Sequence, residues 1–171
     1  MLLEQLSNAF GPSGNEDEVR RILARALRDR VDELKTDALG NLIAFKRGSG
    51  AEPRLRVMVD AHTDEVGLMI TRIEKNGLLG FRIVGGIDDR LLMAKGVVIG
   101  EKRLPGVILA PPVHLTKEDQ RKQVIKFEQL AIDVGATSDD EAKELVRIGD
   151  YGTFDTRFQA LDSPQLRTVK G

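Results

Sequence analysis

The sequence predicts an α/β protein in which an opening helix-and-strand segment is followed by an inserted β-rich module. Three observations carry this reading. Two helical patterns separated by Gly11-Pro12-Ser13-Gly14 open the chain. Three short apolar runs with strand character follow, ending near Asp60 and Ala61 and suggesting a mixed sheet. Beyond Gly67 the texture changes to short strands with frequent turns. The boundaries expected from these shifts are residues 1–65 for the opening segment, 66–161 for the β-rich insertion and 162–171 for a return to the first domain.

Residues 2–10 read as a short helix with Leu3, Leu6 and Phe10 on one side, broken by the Gly-Pro turn. Ser13 followed by Glu16 fits a capping box, in which a hydroxyl and a carboxylate each satisfy a free backbone donor. It would open a second helix over residues 16–29, where Val19, Ile22, Leu23, Ala26 and Leu27 form a core-facing stripe. Residues 31–36 and 42–46 flank a hairpin turn at Leu39-Gly40-Asn41. Leu55, Val57 and Val59 alternate with Arg54, Arg56 and Met58, as in a third strand. In the insertion, residues 68–74 and 78–84 flank Asn76-Gly77, the strongest hairpin signal of the chain. Residues 96–100 and 106–109 flank a charged turn at 101–103, and Pro111-Pro112 closes that pair. Residues 117–127 read as a solvated loop or short helix, and 130–134 as a strand. Ser138 and Glu141 form a second capping box for a helix to about Val146, and 151–158 reads as paired strands.

Composition narrows the function classes. The 171 residues carry a net charge of -1, which gives no electrostatic case for a nucleic-acid partner. No apolar run reaches membrane-spanning length, and the early Glu4 argues against a secretory signal, so a cytoplasmic location is expected. Cysteine is absent, so any metal must be held by oxygen and imidazole. There is neither a phosphate-binding glycine loop ending in Lys-Ser or Lys-Thr nor a Gly-x-Ser-x-Gly nucleophile.

The chemistry-bearing constellation lies at residues 60–65, beyond the third apolar run. Ligands of α/β sheets bind outside the carboxyl ends of strands. His62 and Asp64, two residues apart, would face one cleft if strand geometry persists through them. A metal-bound histidine gives its other ring N–H to a carboxylate, so His62 fits a ligand and Asp64 its orienting partner. The same spacing also suits a hydrogen-bonded surface pair. Asp60 and Glu65 should alternate away from that pair. Asp88-Asp89 reads as a solvated turn, and His114, after the two prolines, as a loop histidine bonded to backbone.

An ordered series of segments runs along the chain: residues 11–16, 37–42, above all 57–67, then 83–87, 106–108 with 112–114, 133–136 and 148–150. On that series the chain resembles the N-terminal half of an M42-type metallo-aminopeptidase, the group that includes glutamyl aminopeptidases and proteins once labelled endoglucanases. It implies a peptidase α/β domain interrupted by a β-rich, barrel-like dimerisation domain. It further implies a hydrolase that removes N-terminal residues from peptides with two divalent metal ions (zinc, cobalt or manganese), assembled as a homo-oligomer. His62 matches a metal ligand and Asp64 the carboxylate of the catalytic site that orients it. The bridging aspartate, the general-base glutamate and the other ligands of such enzymes belong after the inserted domain, beyond Gly171. The chain by itself is therefore expected to be inactive. A non-catalytic folding and oligomerisation unit, or one subunit of a split protein, is the alternative. A glycan hydrolase is a weaker one, because aromatics for sugar stacking make up only 4% of residues.

Overall fold

The computed structural model describes residues 1–109, 123–163 and 165–169. Helix α1 (Leu2–Asn8) and helix α2 (Asp17–Leu27) form the opening layer. The expected stripe of α2 faces inward: Val19 and Ile22 are buried with Ala9, and Leu6 and Leu23 pack against them.

Ser13 does not cap α2. Glu16 occupies the N-cap position, and its carboxylate accepts from the Gly14 amide at 2.5 Å. The Ser13 hydroxyl donates instead to the Asp64 carboxylate, 51 residues away in sequence. An ionised acceptor forms a stronger hydrogen bond than a neutral one, so the distant contact replaces the local one.

Strands β1 (Glu33–Thr36) and β2 (Leu42–Phe45) pair antiparallel, from Glu33 opposite Phe45 to Thr36 opposite Leu42. Asp37 organises their turn by accepting from the amides of Leu39 and Asn41 and from the Asn41 side chain, and Gly40 supplies the left-handed φ of 87°. The third strand expected over residues 55–59 is absent. Those residues make no ladder, and Leu55, Met58 and Val59 are all more than four-fifths exposed. A strand exists only through a neighbour one ladder spacing away. Among the described residues the β1–β2 hairpin pairs only with itself, and the run lies along neither of its open edges. The expected mixed sheet is likewise replaced by an antiparallel hairpin plus one isolated parallel bridge, Pro12 to Glu65.

The β-rich part closes on itself. Strands β3 (Gly67–Ile73), β4 (Leu79–Val84), β5 (Gly96–Ile99), β6 (Leu104–Leu109), β7 (Ala131–Asp133) and β8 (Tyr151–Phe154) form a barrel in the order β3-β4-β7-β6-β5-β8. Every pair is antiparallel. Alternation along the strands sends Leu68, Ile70, Leu79, Phe81, Val97 and Ile99 into one core with Ile108 and Ile132. Residues 151–158 do not form a strand pair of their own. Tyr151–Phe154 fills the gap between β3 and β5 and so removes both barrel edges, and the short pair β9 (Gln159–Ala160) with β10 (Arg167–Thr168) comes later.

Ser138 caps helix α3 (Asp139–Leu145) as expected, accepting from the Glu141 amide at 3.3 Å, while the Glu141 carboxylate reaches the Thr137 amide. Asp88-Asp89 is a turn as expected: Asp88 caps the 3-10 turn Asp89–Leu91. Of the expected loop at 117–127, the described part leads into a second 3-10 turn, Phe127–Gln129. Among the described residues no helix is long and apolar enough to cross a membrane.

Candidate functional site

The chain passes from the opening segment into β3 through residues 61–66, and the expected pair forms there. Nδ1 of His62 lies 2.9 Å from Oδ1 of Asp64 and 3.1 Å from its carbonyl oxygen. Both partners are acceptors, so Nδ1 must carry the proton. In the neutral ring that leaves the lone pair on Nε2, on a side chain that is 86% exposed. No strand ladder is needed to bring the two together. Residues 61–64 lie outside the β-strands, and the contact is a local one across two residues.

The second carboxylate oxygen of Asp64 accepts from the Ser13 hydroxyl. That bond, and after it the bond from His62, holds the Asp64 carboxyl below the usual carboxylate range against an opposing effect of burial. The loop carrying Ser13 is strapped alongside. The Ser13 amide donates to the Glu65 carbonyl at 3.2 Å, and the Glu65 amide to the Gly11 carbonyl at 2.9 Å. The Glu65 side chain accepts from the Gly11 amide at 3.2 Å. The Glu65 carboxylate is thereby engaged with the Gly11 loop, and Asp60 is exposed.

A pocket of about 430 Å³ lies against the pair, with Leu3, Leu6, Ala9 and Val66 forming much of its wall and His62 and Asp64 at its side. Asp89 belongs to a different pocket, beside Ile83, Gly86 and Lys126. His114 lies outside the described residues.

The donor chemistry suits a divalent cation at one position. A neutral, oriented imidazole with Nε2 outward is a metal ligand's ordinary state. Among the described residues no group of three or more His, Cys, Asp or Glu side chains could hold a metal ion. The pair therefore fits as part of a ligand set. Sequence reasoning overlooked Ser13 and its strap, because Gly11-Pro12-Ser13-Gly14 carries an equally good local signal as a helix breaker and cap.

A closed β-barrel thus follows a helix–hairpin segment in a chain of the α/β class, with the His62–Asp64 pair at their junction. The profile of the M42 glutamyl aminopeptidase family matches residues 40–169, and the chain belongs to that family. It is 36% identical over 175 residues to a lysyl aminopeptidase of Pyrococcus furiosus, a match covering 98% of this chain and 49% of that protein. The structure superposes with a TM-score of 0.87 on a TET aminopeptidase from a marine sediment archaeon of the Thaumarchaeota, at 35% identity over 94% of this chain and 46% of the other. The TET1 peptidase of Pyrococcus horikoshii, described as assembling into a tetrahedron or a large octahedral shell, superposes with a TM-score of 0.80 at 44% identity, over 94% of this chain and 48% of the other. The chain spans about half the length of the relatives it matches.

Proposed function

We propose that this chain carries one part of the site of a two-metal aminopeptidase, with His62 as a ligand through Nε2 and Asp64 as the carboxylate that orients it. The observation that supports this most directly is the pair of acceptors on His62 Nδ1, which leaves Nε2 as the only ring atom able to bind a cation. His62 would hold one zinc, cobalt or manganese ion of such a site, and the metal would supply polarisation of the scissile carbonyl and a lowered pKa for a bound water. Asp64 keeps the proton on Nδ1 and fixes the ring plane, and a pocket walled largely by apolar side chains lies beside the pair.

A tight zinc-type site takes three or four protein ligands. The reading therefore requires donors beyond His62, and residues 1–171 alone are expected to bind metal weakly and not to turn over peptides. On this reading residues 1–65 are part of the peptidase domain, 66–161 the inserted domain and 162–171 the return. The self-contained barrel supports a second role for the chain, as a folding and assembly unit within a homo-oligomer.

The test follows the ring nitrogens of His62 by 15N NMR during zinc addition, beside an assay on aminoacyl chromogenic substrates with zinc, cobalt and manganese. Zinc is expected to shift Nε2 while Nδ1 stays protonated, with no turnover by residues 1–171. Zinc acting at Nδ1 would overturn the ligand assignment. Metal-dependent turnover that is lost in His62→Ala would overturn the expected inactivity.

A further inference from the structure

Ser13 is held in place more firmly than a helix breaker requires. Pro12 is fully buried. It sits so close to Gly67 that a Cβ on Gly67 would lie 2.9 Å from the proline Cβ and 2.8 Å from the Gly152 carbonyl oxygen. On the other side, a Cβ on Gly11 would lie 2.6 Å from Val19 Cγ2. Glycines at both positions let the Gly11–Ser13 backbone press between α2 and the start of the barrel. The parallel bridge to Glu65 then fixes its register, and that register sets the Ser13 hydroxyl against Asp64. Glu16 occupies the N-cap position of helix α2, and the helix does not use that hydroxyl.

We propose that Ser13 is a positioning residue of the His62–Asp64 pair, which anchors one oxygen of the Asp64 carboxylate so that the other faces His62 Nδ1. This rests on the reading of His62 as a metal ligand. A carboxylate rotates about its terminal torsion over a broad range. Ser13 on Oδ2 removes that freedom and leaves Oδ1 at 2.9 Å from Nδ1. The His62 ring has little else to orient it, being largely exposed. Without the hydroxyl the carboxylate turns toward water. Nδ1 then loses the shorter of its two acceptors, and without that charged partner the ring shifts toward the Nε2–H tautomer that an unrestrained imidazole favours. That tautomer presents a donor where a cation needs a lone pair.

The experiment reads the tautomer directly, with no metal added. Ring-15N-labelled histidine is introduced and spectra are taken at about pH 8, where an ordinary imidazole is neutral. The second histidine, His114, is separated by a His62→Gln control. In the unmodified chain Nδ1 of His62 is expected to be the protonated nitrogen. Ser13→Ala is expected to transfer the predominant protonation to Nε2, and Ser13→Thr, which keeps a hydroxyl, to retain the original pattern. Barrel amide resonances report in the same samples that the fold is intact. A Ser13→Ala spectrum identical to the unmodified one would overturn the proposal while leaving the His62 assignment standing, as would Ser13→Thr behaving like Ser13→Ala. Protonation at Nε2 already in the unmodified chain would overturn both.

Discussion

Arg103 grips Glu18 with one guanidinium nitrogen, Nη2 lying 2.7 Å from Oε1 and 2.8 Å from Oε2. The contact joins the β5–β6 turn of the barrel to helix α2. The same arginine donates to the Asn8 carbonyl at 3.3 Å, and Glu18 also accepts from the Phe10 amide at 3.2 Å. One carboxylate thereby ties the end of α1, the start of α2 and the barrel together.

Arg103→Ala is expected to cost about 0.2–1 kcal/mol of global stability, the range for a part-exposed ion pair. The local effect should be clearer, with faster amide exchange at Phe10 than anywhere in the barrel strands. A urea midpoint and residue-resolved exchange check both. Arg103 has φ of 53°, so Arg103→Gly should recover part of the loss by relieving the left-handed backbone.

Thr153 sits on β8 with 0% exposure, and among the described residues its hydroxyl has no hydrogen-bond partner. A buried polar group left unpaired costs about 1–3 kcal/mol. Valine has nearly the same shape and suits a strand. Thr153→Val is therefore expected to raise stability by about 1 kcal/mol or more, read as a higher denaturant midpoint at unchanged slope. An unchanged midpoint would mean that the hydroxyl finds a partner in solution.

Asp88 accepts from the Arg90 amide and from its guanidinium, and these bonds push its carboxyl down to about 2 from the ordinary 3.8. The sign follows from the direction. A group whose folded pKa is depressed binds its proton more readily in the unfolded chain. Its contribution is present above the unfolded value and is lost as pH falls from near 3.8 through about 2. Carbon-detected NMR titration should find the Asp88 midpoint near that low value, and Arg90→Gln should return it toward the ordinary one.

Local signals in the sequence predicted the local elements. Asn76-Gly77 folds as a tight turn with Gly77 at φ of 85°, joining β3 to β4, and Ser138 caps α3. The barrel's closure was less legible. It depends on β4 pairing with β7 and β3 with β8, and nothing in either strand's own pattern names those partners. The site divides the same way. His62 and Asp64 announce themselves because they stand two positions apart. Ser13 does not, because its partner is far along the chain and a local capping pattern competes for the same hydroxyl. Residues 55–59 show the opposite failure: a good strand pattern with no ladder to join.

That unpaired run has a consequence for the isolated chain. Leu55, Val57 and Val59 are 88%, 73% and 89% exposed, and the β-branched residues among them favour a pleated neighbour. Fully burying one such side chain stabilises by about 1.5–3 kcal/mol, and an exposed strand-forming segment pairs readily with another chain. Residues 1–171 are therefore expected to self-associate in sedimentation velocity as concentration rises. Val57→Lys combined with Val59→Lys should return the chain toward monomer, because lysines on an edge discourage pairing. Association unchanged by the double substitution would move the contact to the barrel's outer face, where Val107 is 44% and Leu109 is 38% exposed. Lysine at Val107 would then be the substitution that separates the copies.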